Sequence, residues 1–348
     1  MENLDFLLKM LDTVSVSGHE AALQQKCVDF YRNFVDRVSG DATGNVYYEI
    51  NPEADFTILM SGHIDEIGCI ITYIQSNGCV RVARCGGIRP SGYVGHRVQC
   101  VNKHGTFYGC VAASSSLMKK ADVSDSDLVI DFGFSNKEEA EKYLHVGDCI
   151  TFDVSPRLIG NQMLSGRALD DRLGAFIVLE AIKKAKERNC CLHVVTSLSV
   201  GEETTMRGAH WAASKFRPSV AIAVDVTYAN DAPMSDPAET GDIALGKGPA
   251  ICLSSIVNKK LNERLRNAAE KCGLNVQEEV AAGRTGTDAD KMHFVDAPVA
   301  VCLVSIPLRY MHTPAELCHL KDVEDCIALL SEFICQCSSS MDLCEVKF

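Results

Sequence analysis

Two histidines and a set of carboxylates stand where apolar runs of this chain end. "FTILMSG" leads to His63, Asp65 and Glu66, and "VVTSLSVG" leads to Glu202 and Glu203. "VAIAV" ends in Asp225, and "VAVCLVSIPLRYM" precedes His312. A further acidic pair, Asp170–Asp171 in "RALDDRLG", opens a helical pattern. Imidazole mixed with carboxylate suits zinc, cobalt or manganese better than calcium, which prefers oxygen alone. Two divalent ions ~3.5–4 Å apart need one shared carboxylate, plus a carboxylate and a histidine on each side. This set contains those groups. Simpler roles fit each residue taken singly: Asp170 as a helix cap, the glutamates as solvated charges, a lone histidine as a hydrogen-bonded surface group. Spacing alone leaves both readings open. The other eight histidines are given no role.

Such groups need elements that carry them to one place. Residues 2–13 and 17–36 have apolar residues at helical spacing. "NVYYEI" and "FTILMSG" read as strands. From about 66 to 165 the texture changes to short strand-like pieces between Gly and Asn turns, with "SNGC" and "NKHGT" as hairpin turns. One short helix is expected at "SNKEEAEKYL", with Ser135 and Glu138 as its capping box. From 166 onward helices alternate with near-continuous apolar strands: "LHVVTSLSV", "SVAIAVDV" and "PVAVCLVSI". That rhythm predicts an α/β unit with a mainly parallel sheet covered on both faces. The expected organisation is an α/β unit of residues 1–65 and 166–348, which bears the candidate site residues, with a small all-β, barrel-like unit inserted at 66–165. In open α/β sheets, functional groups gather beyond the carboxyl ends of the strands, where the candidate residues fall.

Composition narrows the partners. The 348 residues carry a net charge of −12, which argues against nucleic acid or an anionic membrane as the main partner. No apolar run approaches the ~18 residues of a membrane span. The start "MENLDFLLKMLDTV" is acidic and lacks the basic region of a signal peptide, so a cytoplasmic chain is expected. The 17 cysteines form no CxxC pair and lie mostly in apolar runs, so they read as free thiols acting as small hydrophobes.

Six segments in order carry a resemblance: "SGHIDEIG", "ALDDRLGA", "EETTMRGA", "AVDVTYANDAP", "GRTGTDAD" and "IPLRYMHTPAE". Together they resemble the tetrahedral metalloaminopeptidases, peptidase family forty-two, which includes glutamyl aminopeptidases and proteins labelled endoglucanases. "GGIRPSGYVGHRV" resembles a segment of that family's inserted β domain. The resemblance implies a site for two divalent ions, zinc or cobalt first and manganese as a further choice. His63 and Asp225 would hold one ion, Glu203 and His312 the other, and Asp170 would bridge them. It makes Glu202 the general base and Asp65 the carboxylate that fixes the His63 tautomer, with Thr287 and Asp288 at the substrate end. It further implies removal of amino-terminal residues from short peptides, and an insert that builds dimers into a homododecamer. Two positions depart from the family: Thr205 stands where glycine is usual, and Gly201 where a longer residue is common.

Two rival readings stay open. Paired carboxylates also serve glycoside hydrolases. Against that, the chain has one tryptophan, Trp211, and 7% aromatics, which leaves little for stacking on sugars. A catalytically inactive assembly or peptide-binding protein is the other, but all six residues implied as ligands or base are present.

Overall fold

The computed structural model describes residues 1–233, 236–238 and 241–347. Helices α1 (Leu4–Asp12) and α2 (Ala21–Tyr31) form where the helical spacing predicts, though shorter than expected. Phe6, Leu7, Met10 and Leu11 make the buried stripe of α1. Strands β1 (Arg37–Gly40), β2 (Val46–Ile50) and β3 (Thr57–His63) follow. β3 is buried at every position, as expected of a central strand covered on both faces.

The chain then leaves this layer. β4 (Gly68–Ile74), β5 (Val80–Cys85), β6 (Arg97–Asn102), β7 (Gly105–Val111), β8 (Val129–Asp131) and β9 (Cys149–Phe152) close a barrel in the order β4-β5-β8-β7-β6-β9. Its own apolar core includes Ile71, Val98, Ile130, Leu144 and Ile150. Both expected hairpins are present, β4 with β5 and β6 with β7. Two short helices decorate the barrel, α3 (Ser115–Met118) and α4 (Lys137–Ala140). The α4 cap differs from the expected one. Asn136, not Ser135, accepts the Glu139 N–H at 2.9 Å, and Glu139, not Glu138, reaches back to the Ser135 N–H at 2.8 Å.

The barrel's last strand ends at Phe152, which shortens the expected insert. β10 (Arg157–Ile159) and β11 (Met163–Gly166) form a hairpin that pairs with β17 (Glu316–His319). This hairpin therefore lies outside the barrel's strand order, in a three-stranded sheet of its own with β17.

The second half supplies α5 (Leu169–Glu187), β12 (His193–Ser199), α6 (Arg207–Phe216), β13 (Val220–Tyr228) and β14 (Ala250–Ser254). Then come α7 (Lys259–Cys272), β15 (Gln277–Ala281), α8 (Ala289–Met292), β16 (Ala300–Leu308), β17 and α9 (Leu320–Gln336). The large sheet runs β1-β2-β12-β3-β13-β16-β14-β15. Its centre, β12-β3-β13-β16, is parallel, while β2 and β14 join it antiparallel. Successive side chains face opposite cores. Ile58 and Met60 enter the core under α5 and α9, whereas Leu59 enters the one under α6 and α8.

Two glycines let α5 lie against the strand that carries His63. A Cβ on Gly62 would stand 2.5 Å from the Ala175 nitrogen, and one on Gly174 would stand 2.4 Å from the Asp171 carboxylate. All 17 cysteines are free, and eight of them are buried. No helix among the described residues is long and apolar enough to cross a membrane.

A buried ion network ties these units together. Glu66 accepts from Arg172 at 2.6 Å, Arg167 at 2.5 Å, the Ser15 N–H at 2.9 Å and the Thr151 hydroxyl at 3.1 Å. Arg172 also donates to the carbonyls of Met10 and Leu11, at the end of α1. Thr151 lies on barrel strand β9 and Arg172 on α5, so one carboxylate joins three units. Removing it leaves two guanidiniums buried without a counter-charge. Glu66→Ala should cost about 3–5 kcal/mol of unfolding free energy, measured by denaturant titration. A loss under about 1 kcal/mol would show that the network is dispensable.

Candidate metal centre

The candidate residues converge because their strands are neighbours. His63 ends β3, Asp225 lies in β13, and the chain beyond β16 leads to His312. Asp170 and Asp171, joined by a cis peptide bond, sit in the first turn of α5. Glu202 and Glu203 follow β12 on a turn rather than in extended chain, because that strand stops at Ser199.

Asp170 is the hub. Its Oδ1 lies 3.1 Å from His63 Nε2 and its Oδ2 lies 3.2 Å from His312 Nε2. The adjacent glutamates take different imidazoles: Glu202 Oε2 is 3.8 Å from His63 Nε2, and Glu203 Oε1 is 3.6 Å from His312 Nε2. Ligand atoms of His63, Asp170 and Glu203 lie within 4.8 Å of one another, and so do those of His63, Asp171 and Asp225. A cavity of about 270 Å³ opens onto Asp170, Glu202, Glu203, Asp225, Thr287 and His312.

Both imidazoles are oriented from behind. His63 Nδ1 lies 3.1 Å from the Asp65 carbonyl, and His312 Nδ1 lies 3.1 Å from the Gly87 carbonyl in the barrel's "GGIRPSG" loop. Donation at Nδ1 aims each Nε2 at the carboxylates, the arrangement that metal-binding histidines use. The Asp65 carboxylate is 3.4 Å from the His63 ring, but its hydrogen bonds go elsewhere. It accepts the N–H groups of Glu202 at 3.1 Å and Glu203 at 3.3 Å, together with the Ser17 hydroxyl. Asp65 thus fixes the imidazole through its carbonyl and the two glutamates through its carboxylate.

Two residues to which the sequence assigned no role complete the frame. Buried Asp171 accepts the His63 N–H at 3.1 Å and the Gly174 N–H at 3.0 Å. Glu316 accepts the N–H of His312 at 2.9 Å, of Leu169 at 2.7 Å and of Asp170 at 3.3 Å. His312 sits at φ +63°, a left-handed conformation that costs a non-glycine residue about 1–2 kcal/mol. Glu316 and Gly87 hold it there. The doublet beside Asp170 and the acid four residues after His312 were the available signals for these two residues.

The structure separates Thr287 from Asp288. Thr287 lines the cavity, whereas Asp288 lies beneath it and accepts the hydroxyls of Ser61 at 3.0 Å and Ser199 at 2.5 Å. Burial raises the Asp288 pKa to about 6. The departures in the glutamate turn also have a physical account. Gly201 has φ +65°, and a Cβ there would stand 2.0 Å from the Arg207 guanidinium, which fills the space of a longer residue. Thr205 donates its N–H at 3.0 Å and its hydroxyl at 3.3 Å to the Gly201 carbonyl, closing the turn with groups that glycine only half supplies.

The charges conflict as they stand. Burial, followed by neighbouring carboxylates, holds Glu202, Glu203, Asp171 and Asp225 well above the ordinary carboxylate range. Burial also opposes the charge on His63, but Asp170 and Asp65 outweigh it and raise its pKa. Asp170 is lowered against its own burial by the two imidazoles. Glu202 Oε1 and Glu203 Oε1 are buried without a hydrogen-bond partner. Unpartnered carboxylate oxygens, two outward-facing Nε2 atoms and a shared aspartate fit divalent cations, which would satisfy all of them.

Comparison with known proteins agrees. The model of the M42 glutamyl aminopeptidase family matches residues 44–329. An Acetivibrio thermocellus protein named as a candidate aminopeptidase is 32% identical, over 95% of this chain and 98% of its own. The TET aminopeptidase of a marine-sediment Thaumarchaeota archaeon superposes with a TM-score of 0.90 at 30% identity, covering 97% of each chain. The Pyrococcus horikoshii TET1 peptidase, which can assemble into a tetrahedron or a large octahedral shell, gives 0.86 at 30% identity, over 96% of this chain and 99% of that one.

The electrostatics set a pH dependence. Glu202, Glu203, Asp171 and Asp225 have folded pKa values above their unfolded ones. Without metal, the folded chain therefore binds more protons than the unfolded chain above about pH 4.5, and its stability falls as pH rises. Raised His63 acts in the same sense, because its contribution is lost as pH climbs through its folded pKa. Chelator-treated protein should melt at a higher temperature at about pH 5.5 than at about pH 7.5, and zinc or cobalt should remove the difference. A melting temperature of the chelated protein that rises with pH across this window would contradict the assignment.

Proposed function

The chain belongs to the M42 glutamyl aminopeptidase family, and on that premise we propose how its residues carry out metal-dependent aminopeptidase chemistry. The observation that carries the reading is Asp170, with one carboxylate oxygen against each of two imidazoles and a different glutamate beside each. His63 and Asp225 would hold one divalent ion, Glu203 and His312 the other, with Asp170 shared. Zinc or cobalt suits these donors best, and manganese is the next choice. Bound cations supply Lewis acidity, lowering the pKa of water toward neutrality and offsetting charge on the substrate's carbonyl oxygen.

Glu202 does the proton work. Its unpartnered Oε1 accepts a proton from the water whose oxygen attacks the carbonyl carbon of the first peptide bond. As the C–N bond breaks, Glu202 passes that proton to the leaving nitrogen. Asp65 keeps Glu202 and Glu203 in place by accepting both of their N–H groups. Thr287 would touch substrate from the cavity wall, with Asp288 supporting the floor through Ser61 and Ser199.

A glycoside hydrolase reading is not favoured. Trp211 stacks edge-on with His210 on α6 and does not line the cavity. An inactive binding protein would not retain every ligand and a base aimed at one hub.

For assembly we propose that the barrel serves dimerisation and that dimers build a dodecamer, the number of chains seen in a similar TET1 structure. Tyr73, Tyr108 and Met118 are exposed on the barrel unit, which supports this use. Short peptides would be the substrates, and the cytoplasm the proposed location. Light scattering of the pure protein separates a dodecamer from a free dimer.

Glu202→Gln should keep its metal and lose ~10²–10⁴-fold in kcat on substrates with a free amino terminus. Glu203→Gln should instead lower metal content. Near-normal turnover by Glu202→Gln, or equal cleavage of amino-terminally blocked peptides, would refute the reading.

A further inference from the structure

One carboxylate in the active-site cavity has no work in the hydrolysis. Glu279 lies in β15, two strands away from β16, and lines the same cavity as Glu202, Asp225 and His312. Its Oε2 accepts the Ser305 hydroxyl at 2.8 Å; burial raises its pKa, and the Ser305 and Thr227 hydroxyls oppose that rise. Ser305 lies opposite Asp225 in the β13–β16 register and Thr227 lies two residues beyond Asp225 on β13, so the carboxylate is fixed beside the catalytic groups.

Its surroundings single this residue out. Asp170, Glu202, Glu203, Asp225 and Glu279 are the acids of the cavity, and its lining contains no lysine or arginine among the described residues. Glu279 alone of the five is neither a proposed ligand nor the proposed base, and it has no salt bridge to any described residue. The Arg89 charge acts on Tyr228, but Arg89 is not part of the lining. Val226, Tyr228 and Met311 add apolar surface to the same wall. A cavity with apolar walls and one acidic side chain that lacks an ion-pair partner fits an alkyl chain ending in a cation.

We propose that Glu279 is a specificity-determining residue that selects substrates whose amino-terminal side chain is cationic, lysine or arginine. The proposal rests on the aminopeptidase reading above. It runs against the acidic preference in the family's name, because a glutamate side chain would be driven into a site already holding an unpaired carboxylate.

The test uses the metal-loaded full-length protein and four free-amine anilides: lysyl, arginyl, leucyl and glutamyl. Lysyl and arginyl substrates should exceed leucyl and glutamyl ones by about 10-fold or more in kcat/KM. Glu279→Gln should lower the lysyl-to-leucyl ratio by about 10-fold, mainly through KM, and Glu279→Lys should raise the glutamyl-to-lysyl ratio. A wild-type preference for leucyl or glutamyl substrate overturns the proposal while leaving the aminopeptidase reading intact. So does a Glu279→Gln variant whose lysyl-to-leucyl ratio is unmoved, the result expected if Glu279 instead bound the α-ammonium common to all substrates. The wild-type panel decides the matter even where a variant does not fold. Hydrolysis of none of the four would overturn the aminopeptidase reading itself.

Discussion

Buried carboxylates packed side by side cannot all ionise without a counter-charge. Asp170, Asp171, Glu202, Glu203 and Asp225 share one buried rim, with only two imidazoles among them. Left alone, such a cluster holds protons. The fold keeps it assembled by accepting and donating around it. Asp65 takes two N–H groups of the glutamate turn, Glu316 takes three around Asp170 and His312, and Asp171 takes two around His63 and Gly174. Each holding carboxylate is itself buried, so the frame is rigid before any cation arrives.

This constraint explains features that otherwise look unrelated. Gly62 and Gly174 have no side chain because α5 must lie against β3 for Asp170 to reach His63. His312 tolerates a left-handed backbone because two partners grip it. One of those partners is the Gly87 carbonyl, which belongs to the barrel unit's connecting loop. A Cβ on Gly87 would stand 2.8 Å from the His312 ring, so the loop can approach only without a side chain. The inserted unit therefore does more than decorate the surface, since it orients a candidate ligand. Glu66 makes the same connection below the site, between barrel, first helix and α5.

Much of this was legible in the residues. Uninterrupted apolar runs marked β3, β12, β13 and β16, and their ends marked the candidate ligands. The change to short strands and glycine turns marked the barrel, and helical spacing marked α5, α7 and α9. What stayed hidden was set by tertiary contact. β15 reads "QEEVA", too polar to announce a strand, so Glu279 carried no signal of its place in the cavity. Asp171 stood only as the neighbour of Asp170, and Glu316 was given no role. The 157–165 hairpin has strand texture like the barrel's, and only its pairing with distant β17 places it in a separate three-stranded sheet. The two glutamates reach separate imidazoles through a turn closed on Gly201, which neighbouring positions in a sequence do not announce.

The central claim is that two divalent cations resolve the charge conflict on either side of Asp170. Crystals grown with cobalt, measured at the cobalt absorption edge, test it most directly. The account predicts two anomalous peaks per chain, one against His63 and Asp225 and one against Glu203 and His312, with Asp170 between them. Cobalt bound elsewhere, or a rim still empty at saturating metal, would contradict it.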